Sequence, residues 1–105
     1  MVYDRLQNLL DKVSDELYQE HKKEFDSIFE ERPTYVDVID WMNVSEGWAL
    51  FIFMDTHYRV TNTSAPFYKA QFFHYGQLCQ REEHFADWKE CADDAINCFF
   101  TDFRS

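Results

Sequence analysis

Between residues 4 and 31 the apolar positions Leu6, Leu9, Leu10, Val13, Leu17, Phe25, Ile28 and Phe29 recur at threes and fours, which lays one apolar stripe along a helix. No Gly or Pro interrupts the stretch, and Pro33 closes it. The stripe turns polar near residues 19–23, so the helix is open to a break there. His21 falls on the stripe, where a partly buried or helix-end histidine is the plain reading.

Residues 34–44 fit two patterns. As a strand, Val36, Val38, Met42 and Val44 face one way and Tyr35, Ile39 and Trp41 the other. As a helix, Thr34 caps with Asp37 three residues on, and Tyr35, Val38, Ile39 and Met42 form one face. A short helix or turn leading into a strand is the preferred reading, with Ser45-Glu46-Gly47 as the turn.

Trp48-Ala49-Leu50-Phe51-Ile52-Phe53-Met54 is uncharged throughout and reads as a strand apolar on both faces, with the amphipathic segments on either side as its covers. Asp55-Thr56-His57 can connect it tightly to the alternating Tyr58-Arg59-Val60-Thr61, which predicts a hairpin. Ser64-Ala65-Pro66 has the form of a helix start, whereas the aromatic run from Phe67 to Tyr75 suits a strand, so 67–78 stays open between the two. Gly76 breaks either. Phe85, Trp88, Ala92, Ala95, Ile96 and Phe99 then fall at helical spacing and predict a helix over 82–100, opening on Glu82 and Glu83, which suit the positive end of its dipole. The expected architecture is α+β in a single compact domain over 1–105. It comprises a long N-terminal helix, a small antiparallel sheet of two to four strands centred on 48–54, and the C-terminal helix.

Composition supports a folded core: 46% of the 105 residues are hydrophobic and 19% are aromatic, enough to fold without metal or disulfide help. The charge narrows the partners. Twenty acids against ten bases leave a net charge of −10, which repels nucleic acid and anionic membranes and attracts basic proteins. Tyr58, Phe67, Tyr68, Phe72, Phe73 and Tyr75 could stack bases, but residues 33–81 hold only Arg59, Lys69 and Arg81 against four acids, so direct nucleic-acid binding is disfavoured. Cys79, Cys91 and Cys98 are odd in number and form no CxxC pair, which argues against a disulfide framework. Met1-Val2-Tyr3-Asp4-Arg5 lacks the form of a secretory leader and no apolar run approaches a membrane span, so a cytoplasmic location without membrane contact is expected.

No nucleophile elbow, glycine-rich phosphate loop or HExxH motif is present, and the chain has two glycines. The one metal-like set, His74, Cys79, His84 and Cys91, is spaced by five, five and seven residues, looser than the paired ligands of zinc sites. The sequence therefore assigns no catalytic, cofactor or metal residue, and the chain is expected to be non-catalytic.

The acids are unevenly placed. Residues 1–32 hold nine acids against five bases and residues 82–105 seven against two, so the excess sits on the two helical ends. Glu16, Glu20 and Glu24 repeat at i, i+4, a like-charge line that costs a helix a few tenths of a kcal/mol per pair. Together with Asp11 and Asp15, and with Glu82, Glu83, Asp87, Glu90, Asp93 and Asp94 of the C-terminal segment, these form the candidate partner-binding set. A solvated face that keeps an aromatic-rich chain soluble is the plain alternative. Carboxylates at i, i+4 lie about 6 Å apart along a helix, while duplex DNA carries one charge per about 1.7 Å of axis. One helix is therefore a sparse copy of DNA and two on one side a better one, provided Lys12, Lys22, Lys23 and Lys89 point elsewhere.

In type, a small, acidic, glycine-poor chain without a catalytic motif resembles toxin-immunity proteins and phage anti-defence inhibitors, a likeness that carries no residue over. The expected function is an inhibitor, or an immunity or anti-defence protein, that covers the basic nucleic-acid site of a partner such as a nuclease. The alternatives are a small-ligand-binding or enzymatic domain with an aromatic pocket holding His57 or His74, and an obligate homodimer whose charge only gives solubility.

Overall fold

The computed structural model describes residues 7–54, 67–80 and 84–103, the side chains of Met54, Cys79 and Gln80 excepted. Ser14 is the first residue to divide the N-terminal stripe. Its hydroxyl accepts the Leu17 N–H at 3.2 Å and caps α1, Asp15–Glu20, whose first turn carries Asp15 and Glu16. Ahead of it lies a helical turn at residues 7–10, and residues 11–13 leave the helix to pair with the chain around Pro33. There the Val13 N–H donates to the Pro33 carbonyl at 2.9 Å and the Tyr35 N–H to that of Asp11 at 3.1 Å. A second break falls at His21, which closes α1 and opens α2, Lys22–Ile28. The long N-terminal helix expected from the apolar stripe, open to a break near 19–23, is thus not formed, and short helices take its place. The break at His21 lies inside the polar window of the stripe, whereas the one at 11–14 arises because Val13 is buried by pairing with Pro33 rather than by a helix face.

Thr34 starts α3, Tyr35–Ser45, with a reciprocal cap: its hydroxyl accepts the Asp37 N–H at 3.1 Å and the Asp37 carboxylate accepts the Thr34 N–H at 3.0 Å. Tyr35, Val38 and Met42 are fully buried, so residues 34–44 resolve as the helix with the expected face. Gly47, at φ +72°, turns the chain into β1, Trp48–Met54.

The sheet is antiparallel, in the order β1, β2 (Tyr68–His74), β3 (Gln77–Gln80), with Leu50 opposite Phe72 and Phe73 opposite Leu78. The open stretch 67–78 therefore resolves as strand, turn and strand, and the sheet is centred on β2 rather than on 48–54. The expected hairpin over 55–61 and the cap at Ser64 lie outside the described residues. His74 pairs with Gln77 across Tyr75 and Gly76, both at positive φ (49° and 85°), which is the tight turn whose twist matches the strands it joins. Phe85 does not open the last helix as the spacing suggested. It bridges Tyr68 at the sheet, and Asp87 caps α4, Trp88–Cys98, by accepting the Glu90 N–H at 3.2 Å. The last helix thus begins six residues later than expected at 82, and Phe99–Phe103 widen into a π-helical turn.

Helices α3 and α4 both pack on one face of the sheet. Trp48, Leu50, Ala70 and Phe72 on that face join Tyr35, Val38 and Met42 of α3 and Cys91, Ala92, Ala95 and Ile96 of α4 in one core. Phe99 and Phe100 seal it against α2 and α3, with the Phe100 ring 5.2 Å from Phe25 and the Phe99 ring 5.7 Å from Trp48. Among the described residues no helix packs on the opposite sheet face, where Phe51 is 55% exposed. Among the described residues no helix is long and apolar enough to cross a membrane.

Gly47 is doubly constrained. A Cβ at this position would sit 2.9 Å from the Tyr75 ring, on a backbone that side chains rarely adopt. Gly47→Ala should therefore cost about 1–2 kcal/mol, mostly backbone strain, since the exposed Tyr75 ring can swing away. Denaturant unfolding of Gly47→Ala with and without Tyr75→Ala separates the two terms, and only the smaller, steric one is relieved in the pair.

Candidate partner-binding face

The two acidic helices meet where α1 crosses α4. Ser14, Glu16, Leu17 and Glu20 from one side and Asp93, Asp94 and Asn97 from the other line an open groove of about 190 Å³. Leu17, buried to 5% exposure, forms its floor. The end of α1 is fixed to α4 by a 2.7 Å hydrogen bond between His21 Nε2 and Asn97 Oδ1, while the imidazole lies 5.2 Å from the Phe100 ring. His21 is thus a half-buried helix-end residue, in the role its place on the stripe indicated.

Asp93 differs from its neighbours in this groove. The Tyr35 hydroxyl, on a fully buried side chain, donates to its Oδ1 at 2.7 Å. Burial raises the Asp93 pKa above the ordinary carboxylate value, with the charges of Asp87 and Glu16 adding to it, and hydrogen bonds from Tyr35 and Ser14 pull the other way. Burial likewise raises the Tyr35 phenol, helped by the adjacent carboxylate. Asp93 is therefore an anchor between α4 and α3 that reaches the groove only at its edge.

The other members of the candidate set divide clearly. Glu16 and Glu20 are exposed at the groove, and Asp94 lines it from α4. Glu90 is exposed on α4, and Asp87 is occupied as its cap. Glu24 stands on α2, beyond the break at His21, and does not line the groove. Asp11 is drawn away by Lys89 at 2.6 Å, which with Gln7 holds its carboxyl below the usual range, and Asp15 faces Arg32 at 3.6 Å. Glu82 and Glu83 lie outside the described residues.

The bases expected to point elsewhere are largely accounted for. Lys12 donates to the Arg32 carbonyl at 2.9 Å, Lys22 pairs with Asp26 at 2.6 Å and Lys89 with Asp11. Among the described residues no Lys or Arg lines the groove. A second, larger depression of about 680 Å³ mixes Glu30, Glu31, Asp37 and Asp40 with Lys12 and Arg32. Asp37 and Asp40 were not in the candidate set, and their i, i+3 spacing on α3 was the only signal for them.

Of the metal-like set, His74 and Cys91 have other surroundings. The His74 ring stacks flat on Trp48 at 4.0 Å, and Cys91 is fully buried, its thiol pushed up to about 12 by burial and the charge of Asp94. Among the described residues no group of three or more His, Cys, Asp or Glu side chains could hold a metal ion. An apolar depression of about 270 Å³ beside β1 is lined, among the described residues, by Leu9, Ile39, Leu50, Phe51, Ile52 and Trp88, none of them titratable. His57 lies outside the described residues.

Compared with known proteins, the chain matches no family model, and neither a curated protein nor a solved structure shows significant similarity to it.

Proposed function

We propose that this chain acts by protein contact, with the α1–α4 face laid on the basic nucleic-acid site of a partner enzyme so that the site is covered. The observation that carries this reading is the convergence of Glu16 and Glu20 with Asp94 along one groove in which, among the described residues, no base stands. These groups come from opposite ends of the chain, and a net charge of −10 makes them part of a one-sign field that steers a basic partner. Two helices side by side also narrow the spacing gap that leaves a single acidic helix a sparse copy of a phosphate backbone. The candidate set contracts accordingly: Glu16, Glu20, Glu90 and Asp94 are the contact residues, while Asp11, Asp87 and Asp93 hold the fold.

The test is a pull-down of the tagged chain from lysate of its native host, or of that host's phage-infected cells, at low and high salt, with captured proteins identified by mass spectrometry. A nucleic-acid-processing protein should be retained at low salt and released at high salt, as expected when exposed charges supply the attraction. Glu16→Lys with Glu20→Lys should abolish its capture and its inhibition while leaving the thermal unfolding profile of the chain nearly unchanged, since both positions are exposed. Retention that survives both charge reversal and high salt would sink the reading.

A further inference from the structure

At the α1–α4 groove one carboxyl is held differently from the rest. Asp93 is half-buried, and its Oδ1 accepts the hydroxyl of the fully buried Tyr35 at 2.7 Å. Ser14, the cap of α1, gives it a second hydrogen bond from the other side of the groove. Three elements thus converge on this acid: α4 carries it, α3 supplies the phenol and the start of α1 the hydroxyl. Among the described residues the charges that act on it most are negative, Glu16 from α1 and Asp87 from the start of its own helix, and Glu20 and Asp94 line the same groove. On α3, Asp37 and Asp40 line the other depression, and Lys89 of α4 is paired with Asp11.

We infer, resting on the partner reading above, that docking at this groove is coupled to release of a proton from Asp93, so that the face holds a basic partner more tightly as pH rises from acidic to neutral. In the free chain, burial and the charges of Asp87 and Glu16 favour the neutral acid and raise its pKa, against the two hydrogen bonds. A basic surface laid on the groove changes two terms in opposite directions. It excludes water, which favours the neutral acid, and it brings cations to Glu16 and Glu20, which favours the anion. The second term is the larger. Asp93 has already given up much of its water on folding, whereas an opposite charge within about 4–6 Å lowers a carboxyl pKa by about 1–3.

The sign of the linkage follows. Below the pKa of Asp93 in the free chain the proton is present and must leave on docking, which weakens affinity. Above it the proton is already gone and affinity levels off. If docking lowers that pKa by about 1, affinity rises by up to about tenfold across the titration. Asp93 need not touch the partner for this to hold, because it responds to charge placed at Glu16 and Glu20 while Tyr35 and Ser14 keep it in position.

Carbon-13 NMR of the side-chain carboxyls of the intact chain, titrated between about pH 3.5 and 7.5 at low salt, reads this directly when run with and without a deca-arginine peptide as the basic probe. The expected result is that the peptide moves the Glu16 and Glu20 resonances and lowers the Asp93 midpoint by about 1. Calorimetric affinities for the same peptide should rise with pH at least about threefold more in the parent than in Asp93→Asn, which keeps an oxygen for Tyr35 but has no proton to release. If Asp93→Asn does not fold, the Asp93 midpoint of the parent chain decides alone. Movement of Glu16 and Glu20 with the Asp93 midpoint unmoved or raised overturns the inference and leaves the partner reading standing. If the peptide moves neither Glu16 nor Glu20 at any pH, the groove is not a docking face for a basic partner and both fall.

Discussion

Phe99→Ala should lower the stability of this domain by about 3–5 kcal/mol, the range for removing a buried aromatic ring from a packed core. Phe99 is fully buried, and its ring lies 6.0 Å from Trp41, 5.7 Å from Trp48 and 5.4 Å from Phe100, so it touches α3, the sheet and its own turn at once. The surrounding groups are large planar rings held by edge-to-face contacts, and they cannot collapse into the space without losing those contacts to one another. The cavity term is therefore retained in full. For a domain of this size the midpoint of thermal unfolding should fall by about 15 °C or more. Val44→Ala, at a helix position that is 85% exposed, should change stability by no more than about 0.5 kcal/mol. Thermal and urea unfolding of the two variants beside the parent chain measure both. A fall of less than about 1 kcal/mol for Phe99→Ala would mean that the rings around it are not packed as described.

The same residues show what the sequence discloses and what it hides. The cap of α3 is local: Thr34 and Asp37 are three residues apart and satisfy each other, so pattern alone identifies the helix start. Ser14 with Asp15 and Glu16 is an equally local start signal, yet the apolar spacing runs straight through it, because Val13 is buried as an extended residue at a position that a helix stripe would also fill. Phe85 misleads in the same way, three residues before Trp88 but bonded to Tyr68 in the sheet. The aromatic run at 67–75 is ambiguous by composition. Only the turn resolves it, and the positive φ of Tyr75 is not written in its residue type.

For β1 the missing information is global. Seven apolar residues look buried on two sides, but α3 and α4 stack on the same face, which no local pattern dictates. The candidate face is legible to the same degree. Acid clustering at both ends of the chain is visible in the composition, whereas the particular acids that converge depend on how α1 docks against α4. Asp93 is withdrawn from the face by Tyr35, a hydroxyl 58 positions away in the chain, and nothing near Asp93 announces it.

That buried pair supplies the second large effect. Tyr35→Phe should cost about 1–3 kcal/mol at neutral pH, because it removes the donor from a half-buried carboxylate and leaves the charge to be borne by Ser14 and by water at the groove edge. The sign of the pH dependence follows from the raised pKa of Asp93. An unfolded chain ionises this group near its ordinary value of 3.8, and the folded chain does so at higher pH. The stability contributed by the protonated group is thus complete below that value and is lost as pH rises through the folded pKa. Asp93→Asn removes this titration and keeps an oxygen for the Tyr35 hydroxyl, so the unfolding temperature of Asp93→Asn relative to the parent should rise from acidic to neutral pH. Tyr35→Phe should behave in the complementary sense, costing least where the acid is protonated and most where it is ionised, since Tyr35 bonds the charged form more strongly than the neutral one. In the Asp93→Asn background the loss of the phenol should shrink toward the cost of one neutral hydrogen bond, about 1 kcal/mol. A double-mutant cycle followed by thermal unfolding between pH 3.5 and 7.5 reads all of these terms. A coupling energy that is equal at both ends of that range would show that the Asp93 carboxylate is not the group through which burial at this helix junction makes the fold sensitive to pH.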